Sequence, residues 1–292
     1  MLVTGASGFI GRALVAALAD SGVSVRGLGR RMQAGDWWQA DLAESASLRG
    51  CCREIDAVLH LAGVAHTRTP QARHEAVTVA GTRALVTEAR SAGVRRFVFV
   101  SSIKAECSDD DYARSRRRAE ACVREAGFES AVCVRPGLVY GPGVGGNLAR
   151  LWRCAAWPIP LPWPRGGAVR ALIHRDDLVA VLRALLVIPP GTQTYTVTDG
   201  HPYTLHEIYS AMRLARGRRI SPFGLPRDTF ARLARCGDRL AAVTHRSWPW
   251  DSQALAPLLE SCFSADRRVW QDLGLEPRQT LATALPAWTA SC

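Results

Sequence analysis

A phenol one helical turn from a guanidinium is the strongest chemical signal in this chain. Tyr112 and Arg116 are four residues apart, so a helix sets both on one face. A tyrosine hydroxyl ordinarily titrates at about 10, and a neighbouring cation lowers that value until the phenol can exchange a proton with a substrate oxygen. A second signal is the run Thr4-Gly5-Ala6-Ser7-Gly8-Phe9-Ile10-Gly11, with glycines three apart. A backbone that bends sharply, lets a pyrophosphate approach and opens into a helix N-terminus needs residues without side chains at those places. A third lies 18 residues after Gly11, where Gly29 is followed by Arg30 and Arg31. An Asp or Glu there would hold the ribose 2′-hydroxyl of NAD. Two guanidiniums beside a missing carboxylate suit a 2′-phosphate, so NADP is expected, with NAD as the alternative. Lys104 is the fourth signal: it is the single lysine among 37 basic residues.

Those residues need elements to carry them, and the apolar pattern supplies them. Leu2-Val3, residues 23–28, 57–61, 96–100 and 131–134 read as short buried strands. Between them, residues 10–19, 76–92 and 112–125 have helical spacing. Strand and helix alternating in this way predict a parallel sheet covered on both faces. The glycine run then falls between the first strand and the first helix, and Tyr112 at the start of a later helix. Past Gly141 the texture changes. Pro158, Pro160, Pro162 and Pro164 alternate and exclude a helix or central strand. Residues 174–187 return to helical periodicity, 194–197 to a strand, and the remainder from Thr204 to short helices.

Composition removes other classes of answer. The chain has 292 residues, 48% hydrophobic and 22% charged, which suits one large soluble domain or two unequal ones. No apolar run approaches the roughly 20 residues of a membrane span, and no signal peptide is evident. Nine cysteines are scattered without CxxC pairs or metal-ligand spacing, which fits a reducing cytoplasm and no metal. The net charge of +11 comes from dispersed arginines with no basic tail or nucleic-acid motif, so nucleic acid is not an expected partner. Anionic small molecules suit the charge equally well.

TGASGFIG at 4–11, Asp41-Leu42, HLAG at 60–63, VSSIK at 100–104, YARSR at 112–116, RPGLVYGPG at 135–143 and RALIHRDDLV at 170–179 follow in order. Together they resemble the extended short-chain dehydrogenase/reductase family, in particular its nucleotide-sugar epimerases and 4-keto reductases. The resemblance implies a Rossmann-type doubly wound α/β sheet with a smaller, mostly helical C-terminal substrate domain. It places the dinucleotide domain at 1–146 plus 171–199 and the substrate domain at 147–170 plus 200–292. Cofactor contacts are expected from Gly5, Ser7, Gly8, Phe9, Ile10, Gly11, Arg30, Arg31, Asp41, Leu42, Leu61, Ala62, Gly63, Tyr112, Arg116 and Pro136. By the same resemblance Tyr112 is the acid/base, Ser102 hydrogen-bonds the reacting oxygen, and Asn147 and Arg170 bind the substrate pyrophosphate.

The chain departs from that pattern in three places. Arg116 stands where the family has lysine, keeping the charge but changing reach and donor geometry. Thr78 stands where an asparagine is usual, and the segment from Ser102 to Tyr112 is short. Lys104 is then either a residue of a solvated turn or a cation near the sugar or cofactor. Asp109-Asp110-Asp111 reads as a cap for the following helix. The expected activity is NAD(P)-dependent oxidoreduction at C4 of a UDP- or dTDP-hexose, with reductase slightly favoured over 4-epimerase. A dinucleotide-binding sensor without turnover is the alternative, and a homodimer is the oligomer to test.

Overall fold

The computed structural model of this chain describes residues 1–64, 69–160, 163, 167–220 and 260–289, with a few positions between 229 and 242. Part of the proline-rich stretch, at 161, 162 and 164–166, lies outside the described residues, as do most of the short helices expected between 221 and 259.

Seven parallel strands build the main sheet: β1 (Leu2–Thr4), β2 (Arg26–Gly29), β3 (Trp37–Gln39), β4 (Ala57–His60), β5 (Arg96–Val100), β6 (Ser130–Pro136) and β9 (Gly191–Val197). Their order is β3-β2-β1-β4-β5-β6-β9. The expected doubly wound sheet is therefore present. The chain reverses its direction of winding between β1 and β4, and that switch point opens a crevice at the carboxyl ends of the strands. β5, RFVFV, is buried from Phe97 to Val100 because helices cover both faces. β3 was not legible as a strand: it is three residues long, and two consecutive tryptophans break the alternation on which strand reading rests.

Helix α1 (Phe9–Ala19) follows β1. Residues 71–91 form α2 (Gln71–Arg73), a π-helical stretch His74–Ala80, and α3 (Gly81–Ser91). A short helix α4 (Lys104–Cys107) precedes α5 (Asp111–Arg124). Asp110 caps α5 by accepting the Ala113 amide at 2.7 Å, as the aspartate run predicted. β6 and α5 are tied by an ion pair in which the half-buried Arg135 donates to both carboxylate oxygens of the buried Glu120 at 2.9 and 2.7 Å.

The chain divides into two compact units, Met1–Gly137, Arg175–Thr198 and Asp266–Arg278 in one, and Leu138–His174, Asp199–Ala265 and Gln279–Cys292 in the other. Helix α7 (Arg175–Ala184) belongs to the first unit. So does the helix Arg268–Leu273, because Trp270 Nε1 donates to the Thr198 carbonyl at 3.0 Å and Tyr195 donates to Asp272 at 2.8 Å. The second unit holds α6 (Gly146–Ala155), α8 (Leu205–Ala215) and a small sheet of β7 (Leu138–Tyr140), β8 (Val169–His174) and β10 (Pro202–Thr204) in the order β10-β8-β7. That sheet was not legible, since its strands are short and β8 runs directly into the helical spacing of α7.

Cys51, Cys52, Cys122, Cys133, Cys154 and Cys236 are free thiols, whereas Cys107 and Cys262 are disulfide-bonded. The sequence spacing of the cysteines does not mark those two positions. Among the described residues no helix is long and apolar enough to cross a membrane, and no cluster of three metal-ligating side chains is assembled.

Candidate active site

The glycine run does what its spacing requires. Gly5 has φ +68°, and a Cβ there would meet the Ala62 amide nitrogen at 3.0 Å. The Gly8 amide donates to the Gly5 carbonyl at 2.9 Å, closing the turn. A Cβ on Gly11 would lie 2.1 Å from that same carbonyl oxygen, so only glycine lets α1 start this close to β1. Gly8 caps α1 with no side chain bonded to the helix N-terminus. The amides of the first turn therefore face the crevice ready for an anion, with Ser7 exposed and Phe9 and Ile10 half-buried beside them. This cradle fits the pyrophosphate of a dinucleotide.

A buried relay stiffens the floor beneath it. Thr4 Oγ1 lies 2.6 Å from His60 Nδ1, His60 Nε2 lies 2.9 Å from Thr82 Oγ1, and the Ala62 amide donates to Thr4 Oγ1 at 3.1 Å. Burial, helped by the Arg116 charge, pulls the His60 imidazole down to about 3. His60 of the HLAG run is thus a neutral structural connector of β1, β4 and α3. Leu61, Ala62 and Gly63 follow it, half-buried. Asp41 accepts the Ala43 amide at 2.9 Å in a local turn, while Leu42 is buried core. Pro136 is buried at the end of β6, and its carbonyl accepts the Ile103 amide at 3.0 Å. Arg30 and Arg31, just past β2, are both exposed.

Tyr112 and Arg116 are brought together. Both are buried on α5, and the guanidinium carbon lies 5.1 Å from the centre of the phenol ring. Arg116 also donates to the carbonyls of Val100 at 3.2 Å and Val64 at 3.1 Å. A Cβ on Gly63 would lie 2.9 Å from its Nη2, so the glycine of HLAG makes room for the wide planar head. Nε of Arg116 is buried without a hydrogen-bond partner. Thr78, on the π-helical stretch, accepts the Val64 amide at 3.4 Å. His74, which sequence reasoning missed, packs its ring edge-on to Tyr112 at 5.9 Å. No local motif marks His74; only the π-helical winding of residues 74–80 puts it there.

Ser102 follows β5, half-buried, and its Oγ accepts the Lys104 amide at 3.3 Å. Lys104 is engaged rather than merely solvated: its Nζ donates to Asp110 at 2.9 Å. The lone lysine therefore pins the short segment after Ser102 to the cap of the helix that carries Tyr112. Asn147 and Arg170 both belong to the second unit. Asn147 is exposed on the first turn of α6. Arg170 is half-buried on β8, where burial holds its guanidinium below the ordinary arginine range against the opposing charge of Glu260.

Comparison with known proteins gives the same lineage. The profile of the NAD dependent epimerase/dehydratase family matches residues 1–197. The chain is 37% identical over 196 residues to a ceramide reductase of Caulobacter vibrioides, a match covering 64% of this chain and 61% of that protein. It is 30% identical over 250 residues to a UDP-glucose 4-epimerase of Vibrio cholerae, covering 74% of this chain and 75% of that one. Among solved structures, a UDP-N-acetylglucosamine 4-epimerase from Bacillus cereus superposes with a TM-score of 0.77 over 99% of this chain and 97% of that one, at 17% identity, which is a likeness of fold.

Proposed function

Because the chain belongs to the NAD dependent epimerase/dehydratase family, we propose that it is an NADP-dependent oxidoreductase acting at C4 of a UDP- or dTDP-hexose, reducing a 4-keto group rather than epimerising a 4-hydroxyl. The observation that carries the reading is the end of β2, where Gly29 is followed by two exposed arginines in place of a carboxylate. That composition favours a 2′-phosphate, and NADPH is the form consumed as a reductant. Gly5, Ser7, Gly8, Phe9, Ile10 and Gly11 would hold its pyrophosphate and Arg30 and Arg31 its 2′-phosphate. Asp41, Leu42, Leu61, Ala62, Gly63 and Pro136 would line the rest of the crevice. Asn147 and Arg170 would serve the substrate pyrophosphate, an anion that the arginine fork matches.

Bound NADPH supplies a hydride to the keto carbon. The chain handles the proton. Tyr112 gives its phenolic proton to the substrate oxygen as that oxygen gains charge, and becomes a phenolate. Arg116, its guanidinium carbon 5.1 Å from the ring centre, would set a positive charge beside the negative one that forms. Ser102 accepts from the Lys104 amide and so keeps its own hydroxyl proton to donate to the same oxygen.

A second reading has its own support, an apolar ketone in place of the sugar. A relative at 37% identity carries the name ceramide reductase, and Trp157, Ile159, Leu214 and Ile220 are exposed apolar residues of the second unit. The test is NADPH consumption with 4-keto nucleotide sugars and, separately, with long-chain ketones. Oxidation with the sugars alone supports the first reading; oxidation with the ketones alone replaces it with the second. Tight NADPH binding without turnover of either class favours a dinucleotide-binding sensor.

A further inference from the structure

We propose that Trp37 is a specificity-determining residue at the adenosine end of the cofactor, its indole filling the place of the missing carboxylate and its N–H donating to the ribose 2′-phosphate. The proposal rests on the NADP reading above.

Gly27 and Gly29 are two apart on β2 and share a face of the sheet. β3 lies alongside in parallel register, Gly27 opposite Trp37 and Gly29 opposite Gln39. A Cβ on Gly27 would stand 2.3 Å from Trp37 Cε3 and 2.4 Å from Cζ3. A Cβ on Gly29 would stand 2.8 Å from Cζ2 and 3.7 Å from Cε2. The six-membered ring of Trp37 thus lies along β2 from one glycine to the other, in a slot that exists only because both lack side chains. Gly29 is the position where a dinucleotide fold selective for NAD places its acid. Here an acid would have to drive its Cβ into the indole.

The polar atom of that ring completes the argument. Cζ2 and Nε1 are both bonded to Cε2, so the N–H lies toward the Gly29 end of the indole. Nε1 is buried and has no hydrogen-bond partner, a state that costs free energy until an acceptor arrives. Gln39, next on the same face of β3, donates from Nε2 to the Arg30 carbonyl at 3.2 Å. That bond holds the turn bearing Arg30 and Arg31 beside the indole. A phosphate at the 2′ position would meet a neutral donor from Trp37 and the charges of the two arginines. A 2′-hydroxyl would gain far less, because hydrogen bonds to charged acceptors are roughly twice as strong as neutral ones.

The experiment is titration calorimetry of NADPH and NADH against the unmodified protein, Trp37→Phe, Gly29→Asp and the double variant Gly29→Asp/Trp37→Ala. Trp37→Phe keeps a ring in the slot and deletes the N–H. It is expected to weaken NADPH about tenfold and NADH by less than about twofold. Gly29→Asp alone should gain no affinity for NADH, whereas the double variant should bind NADH in preference to NADPH. If the unmodified protein binds both cofactors equally, the NADP reading fails and this proposal with it. If it prefers NADPH and Trp37→Phe changes nothing, the Trp37 role alone is overturned. Should the variants fold poorly, the indole N–H resonance of Trp37 in the unmodified protein decides. It should shift on adding adenosine 2′,5′-bisphosphate and stay with AMP; equal response to both overturns the proposal.

Discussion

At the scale of single residues, the proposed chemistry rests on the pair Tyr112–Arg116. Tyr112→Phe leaves the ring against Arg116 and His74 but removes the exchangeable proton. Turnover should fall by about 100-fold or more, the range of general acid–base catalysis, while calorimetry finds NADPH affinity within about twofold of the unmodified protein. Retained turnover would remove Tyr112 from the acid/base role. Arg116 is buried and donates to the carbonyls of Val64 and Val100, so it is structure and electrostatics at once. Arg116→Met should lower turnover, because it removes the positive charge that lies 5.1 Å from the phenol ring centre. It should also cost about 1–3 kcal/mol of stability through the two carbonyls left without a donor. Arg116→Lys keeps the charge, so its turnover should fall less than that of Arg116→Met even where stability drops. Turnover of Arg116→Met that matches the unmodified enzyme would mean that the charge plays no part in the reaction.

At the scale of elements, two junctions position the site: β1 to α1, and the segment leading into α5. Gly11→Ala pushes a Cβ to 2.1 Å from the Gly5 carbonyl oxygen and 2.8 Å from Ala6 Cα, both backbone atoms that cannot swing aside. It should cost about 1–3 kcal/mol in denaturant unfolding and abolish measurable NADPH binding. Gly145→Ala, with nothing within 4 Å, is the control for crowding and should lose only the N-cap preference of α6, less than about 1 kcal/mol, with NADPH binding kept. At the second junction, Asp110 both caps α5 and receives Lys104. Asp110→Ala should cost about 1 kcal/mol, and turnover should fall further than Lys104→Met causes, since the latter keeps the cap. Equal turnover in both variants would mean that the ion pair, not the cap, sets the start of α5.

At the scale of the whole molecule, the Thr4–His60–Thr82 relay couples stability to pH. Burial holds the folded imidazole down to about 3, against about 6.5 in an unfolded chain. Above that unfolded value the histidine is neutral in both states and the relay contributes in full. As pH falls below it, the unfolded chain takes up a proton that the folded one refuses. Stability then drops by up to about 1.4 kcal/mol per pH unit until the folded value is reached. Urea unfolding at pH 7.5, 6 and 5 should show that decline, and His60→Asn should flatten it. A decline of the same slope in His60→Asn would place the acid sensitivity in other groups.

The sequence alone determined the architecture of the first unit and the residue types of its site. The parallel sheet was legible because buried strands such as RFVFV are continuous apolar runs and the helices between them keep a helical period. The glycine run was legible because backbone sterics leave no substitute at Gly5 and Gly11, and Tyr112 with Arg116 because a helix has only one geometry for residues four apart. Tertiary structure decided what such local rules do not encode. It set His74 edge-on to Tyr112 through a π-helical stretch and turned Lys104 into a tether for Asp110. It buried the Arg116 head against Gly63, and it laid Trp37 over Gly27 and Gly29 from a strand too short to announce itself. In each case the partners come from different elements, and their meeting depends on strand register and helix winding, which are properties of the packed sheet and not of any one segment.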